Sequence, residues 1–390
     1  MRVTFFHNRY RERGGEDSAV ESLIDLVAKA GHEVRLYCVD NREAIRGPLG
    51  ALQAAGSARW NPRVPARVNA FLDEHPCDVA HVHNFFPLLS PALHATLAKR
   101  GVAVVQTLHN YRLLCGNALL LRDGAACEEC VSRGPWNAVR HGCYRGSRLQ
   151  TAVWADMVSH HRRRGTWRDA VDVFTTPSPF AKRKLLAAGL PEERTLLLPN
   201  PVADPGAPAL PGEGAVYVGR LSPEKGVDLL IEAWREQRGA PLTLVGGGPD
   251  EAALRARAAG VPGVRFLGAV PRDRALAAIR EAAFVVVPSR AYEVFPMVAL
   301  EAFASGRAVV APSPGALAEV VEPGATGLHF ASGDAAGLAD ACRTLLADPG
   351  RVREMGDEAR AVYEEQYAPD RTLLRVEKVY RTALRRRAAA

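Results

Sequence analysis

Short apolar runs alternate with amphipathic stretches along most of the chain. In the first half, the runs with the pattern of buried strands are RVTFFHN, HEVRLYCVD, DVAHVHN, VAVVQTLHN and DVFTTPS. Each run leads into a helical or loop segment, and the clearest helical segment is DSAVESLIDLVAKAG. This alternation predicts stacked β-α units in which a parallel sheet is covered on both faces.

The alternation stops at residues 196–214, LLLPNPVADPGAPALPGEG, which are rich in proline and glycine and have no periodicity. Such a stretch predicts a hinge. Beyond it, strand-like runs resume with AVYVGR, LTLVGGG, VRFLGAV, FVVVPS and AVVAPS. Near the end, PDRTLLRVEKVYRTALRRR has apolar residues at helical spacing, which predicts a C-terminal helix over residues 370–388.

Together these elements predict an α/β protein with two Rossmann-like, doubly wound domains, each built on a parallel sheet. The expected boundaries are residues 1–200 for the N-terminal domain and 201–369 for the C-terminal domain. The C-terminal helix is expected to pack back on the first domain. Two such domains joined by one linker are expected to face a cleft, with ligands beyond the carboxyl ends of the strands.

The composition is that of a globular protein, because 47% of the residues are hydrophobic and 24% are charged. No apolar run is long enough to cross a bilayer. The N-terminal stretch MRVTFFHNRYRERGGED lacks the apolar centre of a signal peptide. We therefore expect a cytoplasmic protein whose seven cysteines are reduced, metal-bound or buried.

Positive charge is concentrated in the first half of the chain. Residues 1–200 contain 27 Lys and Arg against 19 Asp and Glu, whereas the rest contains 23 against 24. The excess is densest between Arg140 and Arg168. Such a segment attracts phosphates, acidic polymers or an anionic membrane surface, although a solvated basic face is an equal alternative. With the terminal RTALRRR, it suggests a lipid-linked or otherwise anionic binding partner at the inner membrane face.

Candidate ligand-binding loops follow the strands of the second half. VGRLSPEKG places Arg220 and Lys225 around a turn before a helix, where two cations could hold a diphosphate. LVGGGPD supplies three glycines that let a backbone approach a ligand closely, namely Gly246, Gly247 and Gly248. This loop is not a dinucleotide fingerprint, because Glu251 stands where a sixth-position glycine or alanine is required.

The stretch SRAYEVFPMVALEAFASG carries two acids around a predicted helix start at Pro296. Free N–H groups at Met297 and Val298, with the helix dipole, would form an anion site. Glu293 lies just before this helix and Glu301 about one and a half turns inside it. Carboxylates beside a phosphate site suit the hydroxyls of sugars, because they accept hydrogen bonds from vicinal diols. The arrangement therefore predicts a nucleotide-sugar ligand.

Several of these motifs resemble one enzyme family. VGRLSPEKG, LVGGGPD, FLGAV, VVPSRAYEVFPMVALEAFASGRAVVA and GATGLHF are similar to the donor-binding half of the retaining, family-4 type glycosyltransferases (glycosyl transferases group 1) with the GT-B fold. The resemblance extends to GGED, HVHN, LHNYRLLC and LLPNPV, and so covers nearly the whole chain. It implies transfer of a sugar from a nucleoside-diphosphate-sugar, commonly a UDP- or GDP-sugar, with retention of anomeric configuration and without a catalytic metal.

The resemblance also implies roles for single residues. In the second domain, Arg220 and Lys225 would bind the donor diphosphate and stabilise the leaving group. Glu293 would hold hydroxyls of the transferred sugar, and Glu301 those of the nucleotide ribose. Backbone amides around Phe295 and Met297 would contact the phosphate or sugar. Val294 and Pro296 stand where many relatives have glycine, and Pro296 removes one amide donor.

In the first domain, the resemblance implies that Gly14 and Gly15 let the backbone reach the phosphate region, and that His109 faces the transferred sugar. His81 and His83 alternate on a buried strand, and we expect His81 to be structural and His83 to approach the cleft. The acceptor would be a glycan, a lipid-linked molecule or a small molecule, in the synthesis of cell-surface polysaccharides or glycoconjugates. The alternatives are a nucleotide-sugar 2-epimerase on the same fold and a non-enzymatic, basic nucleic-acid-binding protein.

Four cysteines lie in an insertion after LHNYRLL. Cys115, Cys127, Cys130 and Cys143 have the spacing C-x11-C-x2-C-x12-C, which suits a structural zinc site that would stabilise a loop-rich segment. Buried free thiols and a disulfide are the alternatives. The remaining three cysteines are expected to be small core residues: Cys38, Cys77 and Cys342.

Overall fold

Two six-stranded parallel sheets organise the chain. The computed structural model describes residues 1–10, 14–208 and 210–390. These residues form two compact units. The first comprises residues 1–120, 127–201 and 372–390, and the second comprises residues 121–126 and 202–371.

The strands of the described residues are β1 (Arg2–Arg9), β2 (Glu33–Asp40), β3 (Val79–Val82), β4 (Ala103–Thr107), β5 (Leu121–Arg122), β6 (Ala125–Ala126), β7 (Val173–Thr176), β8 (Thr195–Leu197), β9 (Ala215–Val218), β10 (Leu242–Val245), β11 (Val264–Gly268), β12 (Phe284–Val286), β13 (Ala308–Ser313) and β14 (Gly327–Ala331).

The helices follow the strands as the hydrophobic pattern predicts. They are α1 (Gly15–Lys29), α2 (Asn41–Ala44), α3 (Gly47–Ala58), α4 (Arg63–Glu74), α5 (Ala92–Lys99), α6 (Glu129–Arg133), α7 (Asn137–His141), α8 (Arg148–Arg163), α9 (Thr166–Ala170), α10 (Pro179–Ala187), α11 (Val227–Trp234), α12 (Glu251–Ala258), α13 (Arg272–Glu281), α14 (Met297–Ala304), α15 (Ala316–Val320), α16 (Ala335–Ala347), α17 (Pro349–Val362) and α18 (Pro369–Ala388). Short 3₁₀ turns span Glu192–Arg194 and Pro223–Lys225, and a π-helical turn spans Tyr363–Tyr367.

In the first unit the strand order is β2-β1-β3-β4-β7-β8, and every neighbouring pair is parallel. The order reverses at β1, because β2 lies on one side of it and β3 on the other. Open sheets of this type bind ligands where the order reverses, beyond the carboxyl ends of the strands. In the first unit this edge carries the loops after β1, β3 and β4.

The second unit repeats the plan with the order β11-β10-β9-β12-β13-β14, again entirely parallel. Here the reversal occurs at β9, between β10 and β12. The loops that follow these central strands contain Arg220, Lys225, Gly246, Gly248 and Glu293. The predicted α/β class with two doubly wound, parallel-sheet domains is confirmed.

Apolar side chains cover both faces of the second sheet. One cluster contains Leu230, Trp234 and Phe284, and another contains Val285, Leu300 and Phe303. A third cluster, in the first unit, joins Phe5 and Val105 of the sheet to Val379 and Tyr380 of α18. Because parallel strands are buried on both faces, their sequences are nearly continuous apolar runs, which made them visible in the sequence.

The C-terminal helix packs within the first unit through polar contacts as well. Tyr380 Oη lies 2.9 Å from His81 Nδ1, and Arg387 Nη2 lies 2.9 Å from Asp172 Oδ2. Both His81 and Asp172 are buried.

Three details differ from the sequence prediction. Residues 196–214 are predicted to form only a hinge, but β8 (Thr195–Leu197) extends into their start, because it pairs with β7. The insertion contains an antiparallel pair, β5 and β6, that the pattern does not indicate. Each of its strands has two residues, too few for a periodic signal. Finally, GATGLHF contains part of β14 at the sheet edge. In the part of the chain that the structure describes, no helix combines the length and apolarity needed to cross a membrane.

Candidate functional site

Lys225 and Glu293 form an ion pair at the carboxyl end of the second sheet. Lys225 Nζ donates a hydrogen bond to Glu293 Oε1 at 2.7 Å, and Ser289 Oγ donates to the same oxygen at 2.7 Å. The next residue, Gly226, has φ of 67°, and a side chain there would collide with the carbonyl oxygen of Pro288. Glycine is thus required where the Lys225 turn meets the loop before Glu293.

Burial and the partner's charge shift the pKa of each member of this pair in opposite directions. The Lys225 and Glu293 side chains are 30% and 17% exposed. Burial would raise the pKa of Glu293, but the charge and hydrogen bond of Lys225, with the Ser289 hydroxyl, outweigh it and lower that pKa. Burial would likewise lower the pKa of Lys225, but Glu293 raises it. Both groups are therefore charged near neutral pH.

A second ion pair fixes the loop that carries Glu293. Arg290 places Nη1 2.6 Å from Asp228 Oδ1 and Nη2 2.8 Å from Asp228 Oδ2. Its backbone N–H donates to the carbonyl of Glu224 at 2.9 Å. This bidentate contact ties the loop to the first turn of α11. The sequence does not single out three of these residues: Ser289, Arg290 and Asp228. Arg290 and Asp228 are 62 residues apart, and Ser289 has no motif of its own.

Arg220 follows β9 in the same region of the second unit. The residue is exposed, and its carbonyl accepts a hydrogen bond from the Tyr217 hydroxyl at 2.7 Å. The next residue, Leu221, donates its N–H to the carbonyl of Gly247 at 2.9 Å. The loops after β9 and β10 therefore support each other, and this contact fixes the backbone at Arg220.

The glycines after β10 are needed for this loop contact. A side chain at Gly246, which has φ of 135°, would collide with the carbonyl oxygen of Gly219, and one at Gly248 would collide with that of Leu221. The backbone that approaches these glycines is thus that of the neighbouring loop. The close approach of this loop accounts for Gly246 and Gly248 even when no ligand is considered. A donor-binding role for these two glycines stays a prediction.

Glu301 lies inside α14 and pairs with Arg272, the first residue of α13. Arg272 Nη2 lies 3.0 Å from Glu301 Oε1, and the Glu301 side chain is 16% exposed. Burial raises the pKa of Glu301, and the Arg272 charge opposes the rise. Arg272 was missed because 29 residues separate it from Glu301.

The start of α14 differs in detail from the prediction. The helix begins at Met297, with Pro296 as the residue before it. The prediction of a free N–H group at Met297 is wrong, because this group donates to the carbonyl of Phe295 at 3.0 Å. Phe295 itself is 9% exposed and packs in the core. Contacts of the Phe295, Met297 and Val298 backbone with a phosphate stay a prediction.

In the first unit, Gly14 and Gly15 lie at the start of α1. Gly14 precedes the helix, and its N–H donates to Asp17 Oδ2 at 3.0 Å. Asp17 also contacts His7, with Oδ1 2.8 Å from His7 Nε2. Among the residues that the structure describes, no atom lies within 4 Å of the position that a side chain would take at either glycine. The open space is compatible with a nearby ligand, which stays a prediction.

His109 lies two residues beyond the end of β4 and contacts a row of stacked rings. The ring centroids are 5.2 Å apart for Phe5 and His81, 4.4 Å for His81 and His83, and 5.0 Å for His83 and His109. His83 Nδ1 lies 2.7 Å from His109 Nε2. Burial is the largest cause that lowers the pKa of both His83 and His109.

His81 is fully buried in this row. Its Nδ1 contacts the Tyr380 hydroxyl at 2.9 Å, and its Nε2 contacts Thr107 Oγ1 at 2.6 Å. Burial lowers its pKa to about 3. Both ring nitrogens are thus engaged with the protein, as expected for a structural histidine.

The cysteines of the insertion are close enough to influence one another. Burial, and then the thiols of Cys115, Cys143 and Cys127, raise the pKa of Cys130 to about 12. All seven cysteines are free thiols. Over residues 1–10, 14–208 and 210–390, no group of three or more His, Cys, Asp or Glu side chains is placed to hold a metal ion. The zinc site stays a prediction.

The other three cysteines differ in burial, and so differ in how well they match the expected core position. Cys342 is buried, as expected for a small core residue, and Cys77 is partly buried. The prediction is wrong for Cys38, which is exposed at the edge strand β2.

Two family models match the chain, one on each half. The model described as "Glycosyltransferase Family 4" matches residues 13–204, and the model described as "Glycosyl transferases group 1" matches residues 212–348. The second match includes Lys225, Glu293 and Glu301.

Individual relatives match to different extents. A glycogen synthase of Mycobacterium tuberculosis (strain CDC 1551 / Oshkosh) is 40% identical over 152 residues, which are 37% of this chain and 36% of that protein. The match thus spans about a third of the relative's length. D-inositol 3-phosphate glycosyltransferase 1 of Catenulispora acidiphila is 29% identical over 351 residues, covering 83% of this chain and 77% of that protein.

Solved structures share the fold over the whole chain. Sucrose-phosphate synthase from Thermosynechococcus elongatus superposes with a TM-score of 0.73 at 20% identity, covering 100% of both chains. HepE of Anabaena, in complex with UDP, gives 0.68 at 18% identity and covers 97% of this chain and 99% of the other. At these identities the likeness shows the fold alone. With the family models, it shows that this chain belongs to the family-4, group 1 type glycosyltransferases with the GT-B fold.

Proposed function

We propose that this protein is a retaining glycosyltransferase that moves a sugar from a nucleoside-diphosphate-sugar to a hydroxyl of an acceptor. The observation that carries the proposal is the Lys225–Glu293 ion pair at the carboxyl end of the second sheet. It combines a cation suited to a phosphate with an acid suited to sugar hydroxyls. Membership of the family supports this assignment. The position of both residues beyond the carboxyl ends of parallel strands supports it as well, because ligands bind there in open sheets.

Lys225 and Arg220 would bind the donor diphosphate. An ammonium group has three N–H donors, and the contact with Glu293 uses one of them. The exposed guanidinium of Arg220 offers a planar fork for phosphate oxygens. Because negative charge grows on the departing phosphate, fixed cations there stabilise the transition state more than the ground state. With these two cations in place, the proposed transfer would need no catalytic metal.

Glu293 and Glu301 would hold the sugars on either side of the diphosphate. Glu293 is ionised and fixed by two hydrogen bonds, so it can accept bonds from hydroxyls of the transferred sugar. Glu301 would accept from the ribose diol, and its contact with Arg272 would then be exchanged or shared. His109 would contact the transferred sugar.

The proposed reaction balances without a separate general base. The acceptor oxygen bonds to the anomeric carbon as the bond from that carbon to the phosphate oxygen breaks. The acceptor proton passes to the leaving phosphate, and the nucleoside diphosphate departs. Attack from the face of the leaving group gives retention.

UDP-sugars are the first donors to examine, and GDP-sugars the second. The Anabaena HepE structures are described as complexes with UDP, with UDP and glucose, and with UDP-glucose. Matching relatives are named as glycogen synthase and D-inositol 3-phosphate glycosyltransferase. These names support a glycan or small-molecule acceptor. A role in cell-surface polysaccharide or glycoconjugate synthesis, with a lipid-linked acceptor, belongs to the same proposal.

Contact with an anionic membrane surface is a further part of this proposal. Leu49 and Leu52 of α3 are 76% and 71% exposed, and Leu149 of α8, which packs against α3, is 77% exposed. Arg145 and Arg148 are exposed nearby in the sequence. Apolar side chains beside cations favour binding at an anionic interface. Sedimentation with anionic vesicles but not with neutral ones would support it, and equal sedimentation with both would contradict it.

The proposed transfer is tested with Glu293→Gln and the matched control Glu354→Gln, an exposed acid of α17. The purified chain is incubated with UDP- and GDP-sugars, and release of the nucleoside diphosphate and the sugar products are measured. We expect Glu293→Gln to lower turnover by about 10²- to 10³-fold, as for the loss of a fixed electrostatic group, and Glu354→Gln to retain it. Equal turnover in both variants would reject the assignment, and an epimerised nucleotide-sugar as the sole product would indicate the alternative enzyme.

A further inference from the structure

Three polar side chains form a hydrogen-bonded group in the first unit. The Tyr10 hydroxyl donates to Glu16 Oε2 at 2.9 Å, and Asn110 Nδ2 donates to the same oxygen at 3.0 Å. Asn110 Nδ2 also lies 3.1 Å from the Tyr10 hydroxyl. The contacts join the segments that follow β1 and β4. They fix the Glu16 carboxylate through one oxygen.

Arg112 extends this group. Its backbone N–H donates to Asn110 Oδ1 at 2.9 Å, and its Nη1 donates to the carbonyl of Gly116 at 2.9 Å. The guanidinium lies over the Tyr144 ring, 5.2 Å from its centroid, and 5.9 Å from the centroid of Phe86. These rings and the carbonyl hold the planar fork in one orientation.

The group lies beside His109 at the ligand-binding edge of the first sheet. Asn110 follows His109 in the chain, and the Glu16 charge acts on His109 in the direction that raises its pKa. The pKa of Tyr10 is raised, and burial is the largest cause. Glu16 also raises this pKa, whereas Arg112 lowers it. An acid therefore holds one hydroxyl next to the residue proposed to face the transferred sugar, and the Arg112 charge acts on the same hydroxyl.

A structural explanation accounts for only part of these contacts. Glu16 lies in the first turn of α1, where an acid favours the helix dipole. That role does not require two donors from other segments. Both hydrogen bonds reach Oε2, and Glu16 is only partly buried, so within the described residues Oε1 is left for another donor. A fixed, charged acceptor with one unused oxygen is suited to binding a hydroxyl group.

We infer that Tyr10, Glu16, Asn110 and Arg112 form the acceptor subsite, and that it takes a hydroxylated acceptor bearing a phosphate or carboxylate group. This inference rests on the proposed function. Glu16 Oε1 would accept a hydrogen bond from an acceptor hydroxyl, and Arg112 would bind the anionic group as a fork. Glu16 takes no proton in the reaction; it orients the acceptor beside His109.

The test separates acceptor binding from donor chemistry. The donor probe is the UDP- or GDP-sugar that the wild-type chain hydrolyses fastest, and nucleoside diphosphate release is measured alone and with acceptors. The acceptor probes are methyl glucoside, glucose 6-phosphate and glucuronate. The variants are Glu16→Gln and Arg112→Gln. Their matched controls are Glu21→Gln, a partly exposed acid of the same helix, and Arg183→Gln, an exposed cation that lies over the Phe180 ring.

We expect the anionic probes to stimulate release by the wild-type chain more than methyl glucoside does. Glu16→Gln should lower the stimulated rate by about 10- to 100-fold, the range for losing a hydrogen bond to a charged group. Arg112→Gln should raise KM for the anionic probes and remove their advantage. Hydrolysis without acceptor should fall much less than the stimulated rate in both variants, and the two controls should behave as wild type.

Each contrary result has a distinct meaning. Equal stimulation of the wild-type chain by neutral and anionic probes would overturn the inferred acceptor class, and unchanged stimulation in both variants would overturn the subsite. A parallel loss of hydrolysis and transfer in the variants would also overturn it, because these residues would then act on the donor or the fold. Absence of any nucleoside diphosphate release by the wild-type chain would instead overturn the proposed function, and this inference with it.

Discussion

His83 Nδ1 lies 2.7 Å from His109 Nε2, so the histidine after β3 is hydrogen-bonded to the histidine after β4. His83 Nε2 is buried and has no partner within the described residues. A buried N–H without a partner is rarer than a buried acceptor without one, so the proton of neutral His83 belongs on Nδ1. His83 then donates to His109, whose own proton is on Nδ1. His83 is therefore a positioning residue for His109.

Replacing His83 should alter the titration of His109. His83→Phe keeps a ring in the stack but removes the donor, which leaves His109 Nε2 free to take a proton. We expect turnover to fall by about tenfold at neutral pH, and the acid limb of the pH–rate profile to move to higher pH. His83→Asn retains an N–H donor and should restore much of the wild-type profile. Identical profiles for His83→Phe and wild type would show that the contact serves packing alone.

Lys225→Met should destabilise the protein in a pH-dependent manner. In the wild type the pKa of Glu293 is lowered, so this acid contributes stability above its ordinary pKa and loses it as pH falls through the folded pKa. Without Lys225, burial raises the pKa of Glu293, and the Ser289 hydroxyl is the remaining group that opposes this rise. The deficit in the free energy of unfolding should then be smaller near pH 4 than near pH 7, where it should reach about 1 to 3 kcal/mol.

Denaturant unfolding at the two pH values measures this deficit. Lys99→Met, at the exposed end of α5, is the control and should show no comparable deficit. A deficit for Lys225→Met that does not change between the two pH values would contradict a charged partner for Glu293.

Arg272→Gln should make nucleotide binding more sensitive to acid. Burial raises the pKa of Glu301, and Arg272 opposes that rise, so the variant should raise it further. Neutral Glu301 is a weaker acceptor for the ribose diol. Calorimetric titration with UDP should therefore give a Kd close to that of wild type at pH 8, and about 3- to 10-fold weaker binding at pH 5.5. Arg274→Gln, an exposed neighbour, should follow the wild type at both pH values; if Arg272→Gln does so too, Glu301 does not bind the nucleotide.

The four-cysteine zinc prediction has a direct chemical test. Cys115, Cys127, Cys130 and Cys143 all belong to the first unit, and three of the thiols influence the fourth. Metal analysis of protein purified without added chelator should find one zinc per chain, and Cys127→Ser or Cys130→Ser should lose it. Cys38→Ser, at an exposed thiol of β2, should retain it. Purified wild-type protein without zinc, and with a Tm unchanged by chelator, would contradict the prediction.

Much of the fold was predictable because parallel strands are continuous apolar runs. RVTFFHN and AVVAPS correspond closely to β1 and β13, whose interior residues are buried. The two-residue strands β5 and β6 are too short to give such a signal. β8 has three residues and was hidden by the prolines that follow it.

The donor-site residues were visible as motifs, but most of their partners were not. Lys225 and Glu293 each stand in a recognisable stretch, yet the sequence does not say that they pair across 68 residues. Likewise, the sequence predicts Glu301 as a sugar ligand, whereas Arg272 has no local signal. The glycines at 246 and 248 predict room for a ligand, and the structure shows that a neighbouring loop fills part of that room.

A crystal structure of the protein with UDP tests the central claim most directly. If the second unit binds a nucleoside diphosphate as proposed, the diphosphate will lie within hydrogen-bonding distance of Lys225 Nζ and the Arg220 guanidinium, and the ribose diol will contact Glu301. UDP bound elsewhere, with Glu301 still held by Arg272 and Lys225 contacting only Glu293, would contradict it.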